Sequence, residues 1–71
     1  METIKETYKG YEISYVKPPL MGGMFQVNLA SERLDLLRRL EPQDAVIAGE
    51  SMDNAIAKAK ARIDEIVGGQ G

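Results

Sequence analysis

Histidine and cysteine are both absent, so any chemistry in this chain must come from carboxylates, hydroxyls, amines and guanidiniums. That excludes Ser-His-Asp and Cys-His nucleophilic arrangements, and it excludes any metal site ligated by His or Cys. Carboxylates are plentiful, but no close pair sits in an apolar setting that would raise a pKa for acid–base work. Glu50 and Asp53 flank a helix start, where negative charge is stabilised by the helix dipole; that reading is preferred to a catalytic one. No catalytic, cofactor-binding or metal-ligating residue is therefore assigned. The chain is expected to be non-enzymatic and to carry no cofactor.

Three further groupings carry side chains or turns with possible chemistry. Gly22-Gly23 follows Pro18-Pro19, but a phosphate-cradling loop needs more glycines, a lysine at fixed spacing and a helix immediately after. Here a strand follows, so an ordinary turn is expected. Lys58, Lys60 and Arg62 alternate along a helix, with Lys60 placed to pair with Asp64 and Arg62 with Glu65, which reads as a solvated, ion-paired face. Tyr8, Tyr11 and Tyr15 could form a base-stacking platform. For Tyr11 and Tyr15 a core position fits better, since they share parity with Ile13; Tyr8 is the outlier, open to exposure.

The elements that must position these groups follow from periodicity. Tyr8–Lys17 alternates, with Tyr11, Ile13 and Tyr15 on one side and Glu12 and Ser14 on the other. Pro18-Pro19 ends this strand. Met24–Ala30 is a second strand, Phe25, Val27 and Leu29 facing in and Gln26 and Asn28 facing out. The two should form a hairpin with a Pro/Gly-rich tip. Ser31–Leu40 changes period: Leu34, Leu37 and Leu40 are spaced for a short helix capped by Ser31 and ended before Pro42. Ala45–Ala48 is a short third strand, and Gly49 permits the turn after it.

Ser51 then caps a helix from about Met52 to Val67, with a stripe of Met52, Ile56, Ala59, Ile63, Ile66 and Val67. Ala55 lies at the edge of that stripe, and Ala57 and Ala61 lie opposite it. The fold class is α+β: a three-stranded antiparallel sheet, a C-terminal amphipathic helix packed on one face, and a short helix between strands two and three. The other sheet face is expected to be wet.

Length and charge bound the rest. Seventy-one residues make a single domain, 1–71, with 1–7 and 68–71 expected to fray. Met1–Tyr8 is polar and charged, so no signal peptide is expected; no apolar run is long enough to span a membrane. With no cysteine to staple so small a core, a cytoplasmic location is expected. Net charge is −2, and its excess lies in residues 31–50. That is not the basic footprint of a general nucleic-acid binder.

Gly49, Glu50, Ser51, Met52, Asp53, Asn54, Ala55 and Ile56 resemble the strand-to-helix run of the HicB-type antitoxin domain. Gly23, Met24 and Phe25 match the family's Gly-aromatic strand opening more loosely. The family's Pro-Asp-Leu-Pro-Gly segment after strand two is replaced here by Leu34–Leu40, and the C-terminal DNA-binding module that many members carry is not expected. The resemblance implies three strands followed by a helix in a partial ribonuclease-H-like fold. It also implies an antitoxin-like role, covering another protein's active surface.

The expected function is thus a small non-enzymatic protein-interaction module. The alternative is a nucleic-acid-binding domain resembling part of a double-stranded-RNA-binding fold, which the acidic opening of the last helix, Ser51-Met52-Asp53, disfavours. Leu37, Arg38, Arg39, Leu40 and Val46 are the expected partner contacts, because arginine is enriched at interface hot spots and the third strand is an uncharged sheet edge. The partner is expected to be a protein, with a homodimer as one form of it; neither nucleic acid nor membrane is expected.

Overall fold

A computed structural model describes residues 2–17 and 25–68. The expected hairpin tip Pro18–Gly23, Met24 and the tail 69–71 lie outside the described residues. The fold is α+β, with four strands where three were expected. β1 (Glu2–Tyr8), β2 (Tyr11–Lys17), β3 (Phe25–Ala30) and β4 (Val46–Gly49) form one antiparallel sheet in the order β1-β2-β3-β4. Between β3 and β4 come α1 (Leu34–Leu37) and a 3-10 turn (Pro42–Ala45); α2 (Met52–Gly68) follows β4 and packs chiefly over β4 and β3.

The additional strand comes from the stretch expected to fray. Tyr8–Lys17 is not one strand: it turns at Lys9-Gly10, and Tyr8 pairs directly with Tyr11. Lys9 has φ 50° and Gly10 φ 88°, the left-handed pair that a tight two-residue hairpin needs. Lysine at the first of these positions carries no sequence signal for that turn, which asparagine or aspartate would have given. β1 also puts Glu6 opposite Ile13, on the face toward α2, so its charges interrupt the alternation. A Cβ at Gly10 would fall 2.6 Å from Leu36 Cδ1, a second reason for glycine there.

The core lies where expected between sheet and helix. Tyr11, Ile13, Val27 and Leu29 from the sheet pack with Ala55, Ala59, Ile63 and Ile66 from α2, closed at one end by Leu36. Tyr15, Phe25, Met52, Ile56 and Val67 are only half-buried. Ala55, placed at the stripe's edge by the sequence, is fully buried. The reason is the tightness of the strand-to-helix turn: a Cβ at Gly49 would lie 2.6 Å from the Ala55 nitrogen, so only small residues fit where α2 leaves the sheet. The opposite sheet face carries Gln26, Asn28, Ala30, Val46 and Ala48, all exposed.

The start of α2 behaves as its sequence indicates. The Asn54 N–H donates to Ser51 Oγ at 3.0 Å, and Asn54 Oδ1 accepts from the Glu50 N–H at 2.9 Å. Ser51→Ala is expected to cost about 1 kcal/mol and Ser51→Gly only a few tenths. Urea midpoints of the two variants check this, and an unchanged midpoint for alanine would remove the cap from the account.

Candidate functional site

The segment between β3 and β4 holds four of the five expected contact residues, and its geometry starts from two side chains in the core. Tyr11 Oη donates to the Leu36 carbonyl at 2.7 Å, and Leu36 itself is buried. Ser31 Oγ donates to the Gly10 carbonyl at 2.9 Å and accepts from the Arg33 N–H at 3.2 Å. Ser31 therefore ties the segment to the β1–β2 turn instead of capping the helix, whose N-cap is Arg33 with no side-chain bond. α1 lasts a single turn and then tightens, Arg39 N–H donating to the Leu36 carbonyl and Leu40 N–H to the Leu37 carbonyl.

This changes which leucines point inward. The expected stripe was Leu34, Leu37 and Leu40. Leu36 takes the buried position instead, Leu40 packs half-buried against the core, and Leu34 and Leu37 are left 65% and 41% exposed. The physical cause is the Tyr11 hydroxyl, which holds the Leu36 peptide against the sheet and sets the rotation of the turn. Arg38 and Arg39 are exposed, and among the described residues neither forms an ion pair.

Val46, the fifth residue, opens β4. It pairs with Asn28, while Ile47 pairs with Val27, so Val46 lies on the sheet face away from α2. It is 47% exposed. No hydrogen bond or ion pair among the described residues joins Val46 to the Leu37–Leu40 turn. They share an end of the sheet, since Ala30 pairs with Glu12 beside Tyr11 and Asn28 pairs with Val46.

The two sheet edges are β1 and β4; the stretch from Tyr11 to Lys17 is interior. β1 carries Glu2, Lys5 and Glu6, charges that discourage a further strand, whereas Val46–Gly49 carries none. Lys58 Nζ approaches the Ala48 carbonyl at 3.5 Å, a long contact at that edge.

Asp44, on the 3-10 turn between these parts, is the one charged residue buried among the described residues, and it has no role among the sequence-based expectations. Its carboxylate accepts two bonds from Arg62, at 2.9 and 3.1 Å, and one from the Glu41 N–H at 2.9 Å. The Arg62 guanidinium holds the Asp44 carboxyl below its ordinary value, against the effect of burial. The local signal was Glu41-Pro-Gln-Asp44, a capping box with proline at its first position.

The remaining basic side chains of α2 are engaged with the sheet. Arg62 also meets Glu65 at 3.0 Å, as the helix spacing predicts. The predicted Lys60–Asp64 pair is absent. Lys60 Nζ instead lies 2.8 Å from Glu6 Oε2, at ion-pair distance but without the angles of a hydrogen bond. Asp64 accepts from Lys9 Nζ at 2.6 Å and from Tyr8 Oη at 2.8 Å. Lys9 first, then Tyr8, lowers the Asp64 pKa; Asp64 raises that of Lys9, and Glu6 raises that of Lys60. Both ammonium groups also sit over the Tyr8 ring, 5.4 and 5.5 Å from its centre, so Tyr8 is a strut between β1 and α2.

Among the described residues no group of three or more acidic side chains comes together as a metal site. Among the described residues no helix is long and apolar enough to cross a membrane. What the arrangement offers is exposed groups at one end of the sheet: two outward leucines and two arginines with no ion-pair partner among the described residues on the α1 turn, and apart from them an uncharged edge strand. No family model, curated protein or solved structure significantly matches this chain.

Proposed function

We propose that this chain is a small non-enzymatic protein-interaction module that acts in the cytoplasm, with the HicB-like run Gly49–Ile56 pointing to an antitoxin-like role in which it covers another protein's surface. The observation that carries this reading is the exposure of Leu34, Leu37 and Val46 at one end of the fold, beside an edge strand without charge. Exposed apolar side chains grouped with arginine are a contact signature. The four-stranded order is compatible with the resemblance in its last three strands and helix, and β1 is an addition to it.

A nucleic-acid interface has less support. Tyr11 is fully buried, and Tyr8 and Tyr15 share its sheet face, toward α2, so they do not form an open stacking platform. Lys60 and Arg62 are engaged in ion pairs.

The test places a charge on the edge. Wild type is expected to retain a second copy or a partner protein in sedimentation and affinity capture, and Val46→Lys is expected to lose it with the circular dichroism spectrum unchanged. Retention that ignores Val46→Lys moves the contact away from β4. A monomer that captures nothing at any concentration overturns the module reading.

A further inference from the structure

We infer that the α1 turn is a docking site for an acidic segment of a partner protein, one that presents aliphatic side chains flanked by carboxylates to Leu34, Leu37, Arg38 and Arg39. The inference rests on the interaction-module reading and specifies the partner's chemistry.

The turn is a preformed platform. Leu36 is fixed by burial of its side chain and by the 2.7 Å bond from the Tyr11 hydroxyl to its carbonyl. The turn cannot roll to bury Leu34 and Leu37 without pulling Leu36 out of the core. Those two leucines are therefore held outward at little entropic cost to binding.

Charge selects the occupant. Of the acids in the same segment, Asp35 is held bidentate by Arg33 at 2.8 and 3.3 Å, Asp44 is held by Arg62, Glu41 lies 3.8 Å from Arg62, and Glu32 is exposed, with no ion pair to Arg38 or Arg39. Arg38 and Arg39 have no carboxylate within ion-pair distance among the described residues. Covering the leucines would desolvate these neighbouring guanidiniums, which demands carboxylates on the covering surface. Arginine meets carboxylates through paired, planar hydrogen bonds and is weakly enough hydrated to be covered. Phosphates would satisfy the guanidiniums too, but a hydrated sugar-phosphate backbone leaves the two leucines with nothing apolar to meet.

The experiment uses random peptides displayed on phage, selected against the purified chain. Enriched peptides should combine Asp or Glu with Leu, Ile or Phe. Their synthetic forms should weaken roughly tenfold on Leu37→Ser. They should also weaken as salt is raised. The double variant Arg38→Glu with Arg39→Glu should reject them and select basic peptides from the same library. These positions are exposed, so each variant should keep the wild-type circular dichroism spectrum, which is the check on folding. Peptides that bind indifferently to Arg38 and Arg39 but are lost on Val46→Lys would overturn this site and leave the interaction module standing. Enrichment without acidic residues, no enrichment at all, or tight salt-sensitive binding of duplex RNA through Arg38 and Arg39 would each overturn the acidic-partner assignment.

Discussion

Ile63→Ala should destabilise this fold by about 2–5 kcal/mol, toward the upper half of that range. Ile63 is fully buried at the centre of the helix–sheet contact. Toward the start of α2 its neighbours on the same face are Ala59 and Ala55, one and two turns back, both fully buried and too short to move into the vacated space, while Ile66, one turn on, already fills its own place in the core. The sheet beneath is pinned by its ladder, so the cavity stays open and its cost adds to the lost transfer energy. Domains of ordinary stability hold about 0.05–0.15 kcal/mol per residue, so a chain this short loses most of its margin. Urea unfolding checks the value. A change within about 0.5 kcal/mol, typical of an exposed site, would turn this face of the helix away from the sheet.

Much of the layout was legible because periodicity reports burial directly. β2, β3 and α2 show clean alternation or a helical stripe, and Tyr11, Ile13, Val27, Leu29, Ile63 and Ile66 are buried as those patterns predict. What escaped is where long-range contacts override local signals. β1 faces α2 with Glu6, a residue that reads as surface until Lys60 is brought to it from far along the chain. Lys9-Gly10 forms a tight turn without the usual residue at its first position. Asp44 and Arg62 look like two surface charges until the 3-10 turn docks on α2.

The candidate contact segment was legible in composition and not in orientation. Leu37, Arg38, Arg39 and Leu40 stand out as a mixture of leucine and arginine, but helical spacing predicts that Leu34, Leu37 and Leu40 cover the sheet. The structure reverses this for Leu34 and Leu37 and gives the covering position to Leu36. The deciding group is the Tyr11 hydroxyl, which no pattern in the Leu34–Leu40 segment encodes. Val46 was read from an edge strand, and β4 is an edge.

Tyr11→Ala should be as damaging as the loss of Ile63, about 3–5 kcal/mol by comparison with other large aromatic truncations. Tyr11→Phe separates the two roles of the side chain. The ring remains, but the Leu36 carbonyl loses its 2.7 Å donor in a buried setting. The Leu36 carbonyl still accepts from the Arg39 N–H, so the change should cost about 0.5–1.5 kcal/mol and loosen α1 selectively, seen as faster amide exchange at Arg38 and Arg39 than in wild type. The hydroxyl also gives a pH signature. Burial raises the Tyr11 pKa above its ordinary 10.0, because the phenolate is disfavoured in the core. Above about pH 10 the unfolded chain releases this proton while the folded chain keeps it, so the contribution is full below that value and is lost as pH rises toward the folded pKa. Phenylalanine has no such proton. Lys9 and Lys60 also have raised values and weaken the fold in alkali, but they do so equally in both proteins. The stability gap between wild type and Tyr11→Phe should therefore narrow as pH is raised from neutral to above 10. A gap independent of pH would mean that the hydroxyl is in water, and that α1 is held by Leu36 packing alone.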